Sequence, residues 1–546
     1  MTTLAFAASH GQERLWFADQ VSPDASPFVL VAGLELRGSL DADRLTEAIE
    51  QVIELHEILR TTLVRRDHTL LQVIHQTVPP AWKPVVGRDA ARLGETTPAR
   101  LARLDEQARS WRPDLASGPL IRLTLAELAL DHWVLHLAIH HTVADAVTLK
   151  LFLQQVAAAY RGEQLPAPRL QYADVSGWQR ARSARGEFAG DKAYWLDRLH
   201  NLPTVTWDVV PRDDAHGAPG VVYPGEASGL NEALHRLATE RQSPAQAVLL
   251  AAVGTAVCLD LGLSRVAVGI PVDGRTRSDL RGLLGFLVNS VTVPVAVSPN
   301  EPFTRVLDRV AVEYVGALAH QELPFDEVVR AVAPTRGLTT SPVFHVIVTT
   351  HAALLDGLDF PGVELIPRPV TPPALPAPLV VTLPADDAKE PFTLSYDYPL
   401  GRTQAQRLAA TVGALLLDAV SGRALAISDL AARPSPEVQA QEKLRSPSIV
   451  LQTPPAALVD LVARVLADAL GRDRPLPADA HFFQFGGHSL VAIQALDDIA
   501  AELEMEVPLA LIFEHPVVAD LAAALHAQTD LQRSAIPRQP RVPHGR

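Results

Sequence analysis

The chain has 546 residues, of which 48% are hydrophobic and 20% are charged, so it is long enough for several domains with buried cores. Its formal net charge of −14 argues against binding to nucleic acid, whose phosphates attract basic surfaces. The single cysteine, Cys258, excludes a disulfide within the chain. No signal peptide and no run of about 18 apolar residues occurs, so we predict a cytoplasmic protein that does not enter a membrane.

Strand-like and helix-like segments alternate over the first 180 residues. In chain order the patterns predict a strand at 28–38, a helix at 41–60, strands at 120–130 and 132–141, and a helix at 145–160. Asp41 and Asp145 stand at the starts of the two helices, where a carboxylate can accept hydrogen bonds from free backbone N–H groups. The alternation predicts a first α/β lobe over residues 1–180.

A second α/β series follows and predicts a comparable lobe over residues 181–431. Ser243 and Pro244 suit the N-cap and the first position of an apolar helix that contains Cys258. The predicted strands of this lobe lie at 265–272, 287–297, 344–350 and 392–398.

The composition changes after residue 431. Residues 432–453 are polar and contain several prolines, which is typical of a linker. Residues 454–529 predict a small all-helical unit, with helices at 456–471, 489–504 and 516–528. Residues 530–546 are rich in arginine and proline and are predicted to form a disordered tail.

The small helical unit contains FGGHSL at 485–490, in which two glycines precede the helix that opens near Ser489. A serine at this position can act simply as an N-cap. The whole unit, however, resembles a peptidyl carrier protein of nonribosomal peptide synthetases, and FGGHSL is the specific match. The resemblance implies that a phosphopantetheinyl transferase attaches 4′-phosphopantetheine covalently to Ser489. The positive end of a helix dipole suits the phosphodiester of that group.

The segment HHTVADAVT at 140–148 joins a predicted strand to a predicted helix. Its two histidines could satisfy backbone groups while Asp145 caps the helix. A zinc site is disfavoured, because adjacent histidines in a strand point to opposite faces and no third ligand is evident. A serine hydrolase is disfavoured because no G-x-S-x-G segment occurs. Taken alone, the segment leaves a structural and a catalytic interpretation open.

Seven segments, in order along the chain, resemble the motifs of condensation domains of nonribosomal peptide synthetases. They are SHGQERLWF (9–17), LHEILRTTL (55–63), IHHTVADAVT (139–148), YADVSGW (172–178), LLGFLVNS (283–290), HQELPFDEV (320–328) and TSPVFHVIV (340–348). The resemblance implies an α/β fold with two chloramphenicol-acetyltransferase-like lobes in a V and a tunnel between them. The small unit would follow as an all-α four-helix-bundle carrier domain.

The resemblance also implies roles for five candidate site residues. His141 would face the tunnel, either as a general base or as a hydrogen-bonding group that orients the attacking amine. Asp145 would pair with Arg275 and fix the loop that presents His141. His140 would be a structural neighbour, and Asn289 would line the tunnel.

One residue departs from the family pattern. Ala146 stands where the family usually has glycine, and its methyl group could narrow the tunnel or disfavour a glycine-like backbone conformation. The cyclising variant of the family has aspartate in place of the first histidine, so His140 argues against heterocyclisation.

The order of the parts predicts how the reaction would be supplied. Residues 430–456 are too few for an adenylation domain, so a separate adenylation enzyme would load Ser489 in trans. An upstream acyl or peptidyl carrier protein would bring the donor thioester, and the amine on Ser489 would accept the acyl group as an amide. Two alternatives stay open: an acyltransferase that uses a soluble amine or hydroxyl acceptor, and a catalytically silent recruitment platform.

Overall fold

A computed structural model divides the chain into two compact units, one with residues 1–332 and 343–434 and one with residues 435–546. The residues that it describes are 3–21, 28–67, 69–76, 86–88, 95–203, 205, 207, 219–223, 228–332, 343–350, 354–355, 357–368, 375–384, 392–397, 399–430, 454–472, 474–482, 485, 489–503, 505, 507 and 511–533.

The N-terminal part of the first unit alternates strands and helices, as the sequence predicts. Its strands are β1 (Thr3–Ala7), β2 (Val29–Gly38), β3 (Thr61–Arg66), β4 (Thr69–His75), β5 (Val86–Arg88), β6 (Ile121–Ala129) and β7 (His132–His140). Its helices are α1 (His10–Val21), α2 (Ala42–Leu55), α3 (Thr97–Arg109), α4 (Ala146–Tyr160) and α5 (Tyr172–Ala184). Asp41 caps α2 as predicted, because its side chain accepts hydrogen bonds from the backbone N–H groups of Asp43 and Arg44.

The C-terminal part of the first unit follows the same α/β pattern. Its helices are α6 (Ala189–Leu199), α7 (Ser228–Glu240), α8 (Ala245–Leu261), α9 (Phe303–Ala319), α10 (Phe325–Val332), α11 (Arg402–Ser421) and α12 (Ile427–Leu430). Its strands are β8 (Gly220–Val222), β9 (Arg265–Val272), β10 (Asn289–Ala296), β11 (Val346–Thr350), β12 (Val363–Arg368), β13 (Leu379–Leu383) and β14 (Thr393–Tyr396). The four predicted strands correspond to β9, β10, β11 and β14.

The predicted cap of α8 is wrong. The helix begins at Ala245 with Pro244 at the N-cap position, and the Ser243 hydroxyl makes no hydrogen bond to any described residue. Pro244 has an extended ψ of 142°, and its carbonyl accepts from the backbone N–H groups of Ala247 and Val248, so the cap lies one residue later than predicted. The helix itself is buried along most of its length, and Cys258 lies in its core as expected.

Each part of the first unit is organised on a mixed sheet. Within the described ranges, the N-terminal sheet has the order β12-β2-β7-β6-β5 and the C-terminal sheet the order β10-β9-β11-β13-β14-β8. Strand β12 therefore crosses from the C-terminal part of the chain to pair antiparallel with β2, with Leu365 opposite Leu36. The lobe boundary at residue 180 stays a prediction based on chain order. Strand β12 does not follow that order, because it lies in the C-terminal part of the chain and belongs to the N-terminal sheet.

The second unit is a small helical bundle. Its described helices are α13 (Ala456–Ala469), α14 (Ser489–Leu503), α15 (Leu511–Glu514) and α16 (Val518–Arg533). Val462, Phe482 and Leu521 are fully buried and form part of its core. The predicted linker at 432–453 lies outside the described residues. The predicted tail begins too early, because α16 continues to Arg533; residues 534–546 lie outside the described ranges.

No single helix among the described residues is both long and apolar enough to span a membrane. The bent pair Gly229–Glu240 and Ala245–Leu261 meets those criteria only when its two helices are counted together.

Candidate functional site

The candidate site begins where a central strand ends. Strand β7 lies between β2 and β6 and is buried along most of its length. The backbone N–H of His141 donates to the carbonyl of Phe28 at 2.7 Å, and α4 begins only five residues later, at Ala146. A tight turn between two buried elements therefore carries the side chain of His141.

The ring of His141 is held in one tautomer. Its Nδ1 lies 2.9 Å from the backbone oxygen of Ala144, and a carbonyl oxygen can only accept, so Nδ1 carries the hydrogen. This leaves Nε2 with an available lone pair. Burial, opposed by the Ala144 hydrogen bond and by Asp145, lowers the pKa of His141 to about 4. The imidazole is therefore neutral at pH 7, and its ring lies edge-on to Phe286 at a centroid distance of 5.7 Å.

His140 has a different environment. Its side chain is buried, and its Nδ1 accepts a hydrogen bond from the backbone N–H of Thr142 at 3.2 Å. The proton is therefore on Nε2, which lies 3.5 Å from a carboxylate oxygen of Asp19. These contacts hold the His140 ring within the fold and fasten the turn.

Asp145 is fully buried, and both of its carboxylate oxygens accept hydrogen bonds. Oδ1 accepts from the Thr148 backbone N–H at 2.7 Å and from Arg275 Nη2 at 3.1 Å. Oδ2 accepts from Arg275 Nη1 at 2.9 Å and from the Leu287 backbone N–H at 3.0 Å. The carboxylate caps α4 and at the same time forms the two-point pair that suits a planar guanidinium.

Arg275 and Thr148 extend this contact across the first unit. Arg275 Nη2 also donates to Thr148 Oγ1 at 3.1 Å and to the Leu283 carbonyl at 3.0 Å. Thr148 Oγ1 donates to the Gly285 carbonyl at 2.7 Å and accepts from the Gly285 N–H at 3.0 Å. The start of α4 is thereby joined to the segment 283–287 of the C-terminal part.

Asn289 lies at the start of β10 and uses its whole amide group for the fold. Its Nδ2 donates to the carbonyls of Gln321 and Leu323 at 2.8 and 2.7 Å. Its Oδ1 accepts from the Phe325 N–H at 3.0 Å. Asn289 lines a cavity near α1, and its side chain fixes the turn that leads into α10.

The polar residues that hold the histidine turn from the other side were missed by the sequence reasoning. Gln12 Nε2 donates to the Thr142 carbonyl at 3.1 Å, and Gln12 Oε1 accepts from the Ser9 N–H at 2.9 Å. The Tyr172 hydroxyl donates to the Phe286 carbonyl at 2.8 Å and lies 2.7 Å from Ser9 Oγ. Burial raises the pKa of Tyr172, which therefore stays protonated. The available signal was their presence in the motifs SHGQERLWF and YADVSGW.

Ala146 does not have the backbone conformation that favours glycine. It is the first residue of α4, has helical geometry and is exposed to solvent. The backbone there accepts a Cβ without strain.

Ser489 is the first residue of α14, a helix of 15 residues. A serine at the N-terminal end of a helix of this length fits the attachment of a phosphodiester group, because the helix dipole favours negative charge there. The residues present thus fit 4′-phosphopantetheine.

Comparison with known families gives two matches. The family described as "Condensation domain" matches residues 5–360, and that described as "Phosphopantetheine attachment site" matches residues 460–525.

Two curated relatives show the extent of the likeness. Tyrocidine synthase 3 from Brevibacillus parabrevis is 27% identical over 401 residues, which are 72% of this chain and 6% of that protein. Chondramide synthase cmdD from Chondromyces crocatus is 32% identical over 375 residues, 66% of this chain and 9% of that protein. The chain thus spans less than a tenth of the length of either synthase.

Solved structures share the fold. The X-domain from teicoplanin biosynthesis superposes with a TM-score of 0.67 at 24% identity, covering 78% of this chain and 97% of its own. The first condensation domain of the CDA synthetase gives 0.61 at 20% identity, covering 79% and 99%. The four-domain nonribosomal peptide synthetase AB3403 gives 0.69 at 18% identity, covering 88% of this chain and 37% of its own.

Proposed function

The chain belongs to the condensation-domain family and carries a phosphopantetheine attachment site, and from this premise we propose that it forms an amide bond. The donor is an acyl thioester on a partner carrier protein, and the acceptor is an amine tethered to Ser489. The observation that carries the proposal is His141: its Nδ1 is held by Ala144, so its Nε2 is available to the amine.

The lowered pKa of His141 supports a role as a hydrogen-bond acceptor towards the amine. Taking a proton from an ammonium group of pKa about 7.7 to 8 would cost a base of pKa about 4 roughly 5 kcal/mol. His141 therefore acts on an amine that is already neutral. Nε2 accepts a hydrogen bond from the amine N–H and directs the nitrogen lone pair towards the carbonyl carbon.

Proton transfer follows the attack. The new C–N bond leaves positive charge on the nitrogen and negative charge on the carbonyl oxygen, and Nε2 takes a proton from the nitrogen, which is now far more acidic than the neutral amine. The carbonyl re-forms as the C–S bond breaks, and the proton passes to the departing thiolate. The phosphopantetheine arm supplies the thiol that holds the acceptor. Asp145, Arg275 and Gln12 act as positioning residues, because their side chains are hydrogen-bonded within the fold and fix the turn.

The supply of both substrates depends on other proteins. Helix α12 ends at Leu430 and α13 begins at Ala456, so the interval is far too short for an adenylation domain. We infer loading of Ser489 in trans by a separate adenylation enzyme, after modification by a phosphopantetheinyl transferase. An upstream acyl or peptidyl carrier protein presents the donor.

The test loads both carriers and follows the product by intact-protein mass spectrometry. Ser489 receives an aminoacyl-phosphopantetheine, and a partner carrier receives an acyl group. We expect the wild type to form the amide on Ser489, His141→Ala to do so about 10² to 10⁴ times more slowly, and Ser489→Ala to form none. His235→Ala, on the partly exposed face of α7, is the matched control and keeps the wild-type rate.

Two outcomes would change the assignment. Equal product from the wild type and from His141→Ala would remove the catalytic role and favour a recruitment platform. Product found in solution and not on Ser489 would favour a soluble amine or hydroxyl acceptor.

A further inference from the structure

A cavity lies beside the start of α1, between segments from the two parts of the first unit. We call it the α1 cavity and define it by His10, Gly11, Arg14, Phe286, Asn289 and Asp326, which line it. Its volume is about 50 Å³. About 10 to 15 Å³ of such space holds one water molecule, so the cavity accommodates a group of about four heavy atoms.

Polar groups in the α1 cavity lack partners within the described part of the chain. Both ring nitrogens of His10 are buried and make no hydrogen bond there. Arg14 lies over the Phe325 ring at 5.5 Å, and its charge opposes the burial that raises the pKa of Asp326. Buried polar groups without partners cost free energy, so a ligand that pairs with them gains affinity and specificity.

The charges in the cavity balance. The charged side chains that line it are two basic ones, Arg14 and Arg182, and two acidic ones, Glu322 and Asp326, and burial raises the pKa of Asp326. Burial, helped by Arg180, lowers the pKa of His10 to about 4, so its ring is neutral and offers one donor and one acceptor. A charged ligand would meet a like charge here, whereas a neutral group with its own donor and acceptor would not.

Phe286 lines the cavity and also contacts His141. Its ring contacts the His141 ring edge-on at 5.7 Å. On the other side the ring packs on Gly11, where an added Cβ would lie 2.8 Å from a ring carbon. The same ring thus lines the cavity and contacts the imidazole, so the cavity lies next to the surroundings of His141.

We propose that the α1 cavity is a specificity pocket for a short, uncharged, hydrogen-bonding side chain, such as a carboxamide or a hydroxyl, on one of the two groups joined. The inference rests on the proposed function. The amides of a phosphopantetheine arm share this chemistry, but the arm is the same in every substrate. Recognition of the arm therefore changes all rates by one factor, and recognition of a side chain changes their ratio.

The test compares two side chains of nearly equal shape. Asparaginyl and leucyl groups are placed on otherwise identical arms, first on Ser489 and then on the partner carrier, and the initial rates of amide formation are measured. We expect the wild type to favour asparaginyl by ten- to a hundredfold on one of the two sides, because a leucyl group leaves the polar groups unpaired.

Variants then assign the preference to the pocket. His10→Leu removes both ring nitrogens and is expected to bring the ratio close to one. His10→Gln keeps a donor and an acceptor and is expected to retain most of the preference, which also guards against a folding defect. His235→Leu, on α7, is the matched control and leaves the ratio and the rates unchanged.

The outcomes separate this inference from the proposed function. Equal asparaginyl and leucyl rates on both sides, with product formed, would overturn the pocket alone. A uniform loss of rate in His10→Leu with an unchanged ratio would do the same and assign His10 to the arm. Absence of product from every wild-type pair would overturn the proposed function and the pocket together.

Discussion

The imidazole of His141 is half-buried, and its lowered pKa keeps it uncharged at neutral pH. A histidine exposed to water has a pKa near 6.5, because water stabilises its protonated form. Burial lowers this pKa, because the protonated form loses its hydration. This is the basis of our proposal that the residue orients a neutral amine and does not generate one.

The pH dependence of the reaction follows from this. The pKa of His141 is lowered to about 4, so its neutral form is present at every pH well above 4 and is lost only below it. At pH values above about 4 we expect the rate to fall as the pH drops below the pKa of the acceptor amine, because the amine then becomes protonated. The pH–rate profile is measured with two acceptors on Ser489, one with an ordinary α-amine and one with an amine made more acidic by fluorine. The acid limbs of the two profiles should be displaced by the difference in the pKa values of the amines. A limb near 6.5 for both acceptors would contradict the assignment.

Sequence reasoning identified the residues that carry chemistry better than those that position them. His141, Asp145 and Arg275 are brought together as the resemblance implies, although their roles stay proposals. Gln12 was not singled out, because its contact with Thr142 joins residues 130 positions apart and follows no helical or strand period. The pKa of His141 depends on packing from several elements, and a linear pattern does not carry that information.

At the scale of elements, the start of α4 holds the turn that carries His141. Asp145 caps it from a fully buried position, and Ala146 is its exposed first residue. The sequence left the effect of Ala146 open, since glycine is usual there in the family. The helical geometry answers one half of that question, because no left-handed backbone is required.

Replacement of this residue gives a direct check. Ala146→Gly should lower the free energy of unfolding by about 0.5 to 1 kcal/mol, since glycine loses more backbone freedom in a helix. The condensation rate should stay within about twofold of the wild type. Ala189→Gly, at the exposed first residue of α6, is the matched control for urea unfolding. A tenfold gain in rate for Ala146→Gly would show that the methyl group narrows the passage of the acceptor.

Elements with strong periodicity were predicted well and those defined by distant partners were not. Strand β9 was predicted over its full length, because its apolar run is bounded by clear polar residues. Strand β12 was missed: only Leu365 and its neighbours in the pairing with β2 make it a strand, and Pro367 near its end argues against one. The cap of α8 was predicted one residue too early, at Ser243, whereas Pro244 occupies the N-cap position.

At the scale of the whole molecule, the predictions of the family, the α/β fold of condensation domains and the 4′-phosphopantetheine cofactor are confirmed. The first unit is held across its two parts by the buried pair of Asp145 and Arg275. Breaking a buried pair leaves one charge without compensation, which commonly costs about 3 to 5 kcal/mol. This contact therefore contributes to the integrity of the whole unit and not only to the histidine turn.

We expect Arg275→Ala to lower the melting temperature of the first unit in differential scanning calorimetry and to reduce amide formation. Arg275→Lys should recover part of both, because an ammonium group keeps the charge and loses the two-point contact. Arg277→Ala is the matched control: that arginine is exposed and pairs with the exposed Asp279, so its loss should leave the melting temperature almost unchanged. Equal melting temperatures for the two alanine variants would contradict this account.

Strand β12 has a consequence for how the chain is made. The edge of the N-terminal sheet is completed by residues 363–368, which leave the ribosome long after β2 at residues 29–38. During synthesis one edge of β2 therefore stays unpaired until residues 363–368 have been made. An open edge of this kind can pair with strands of other chains. A chimaera that exchanges residues 1–180 between relatives would pair this edge with a strand from the other parent, so we expect the two lobes to be transplanted successfully only as one piece.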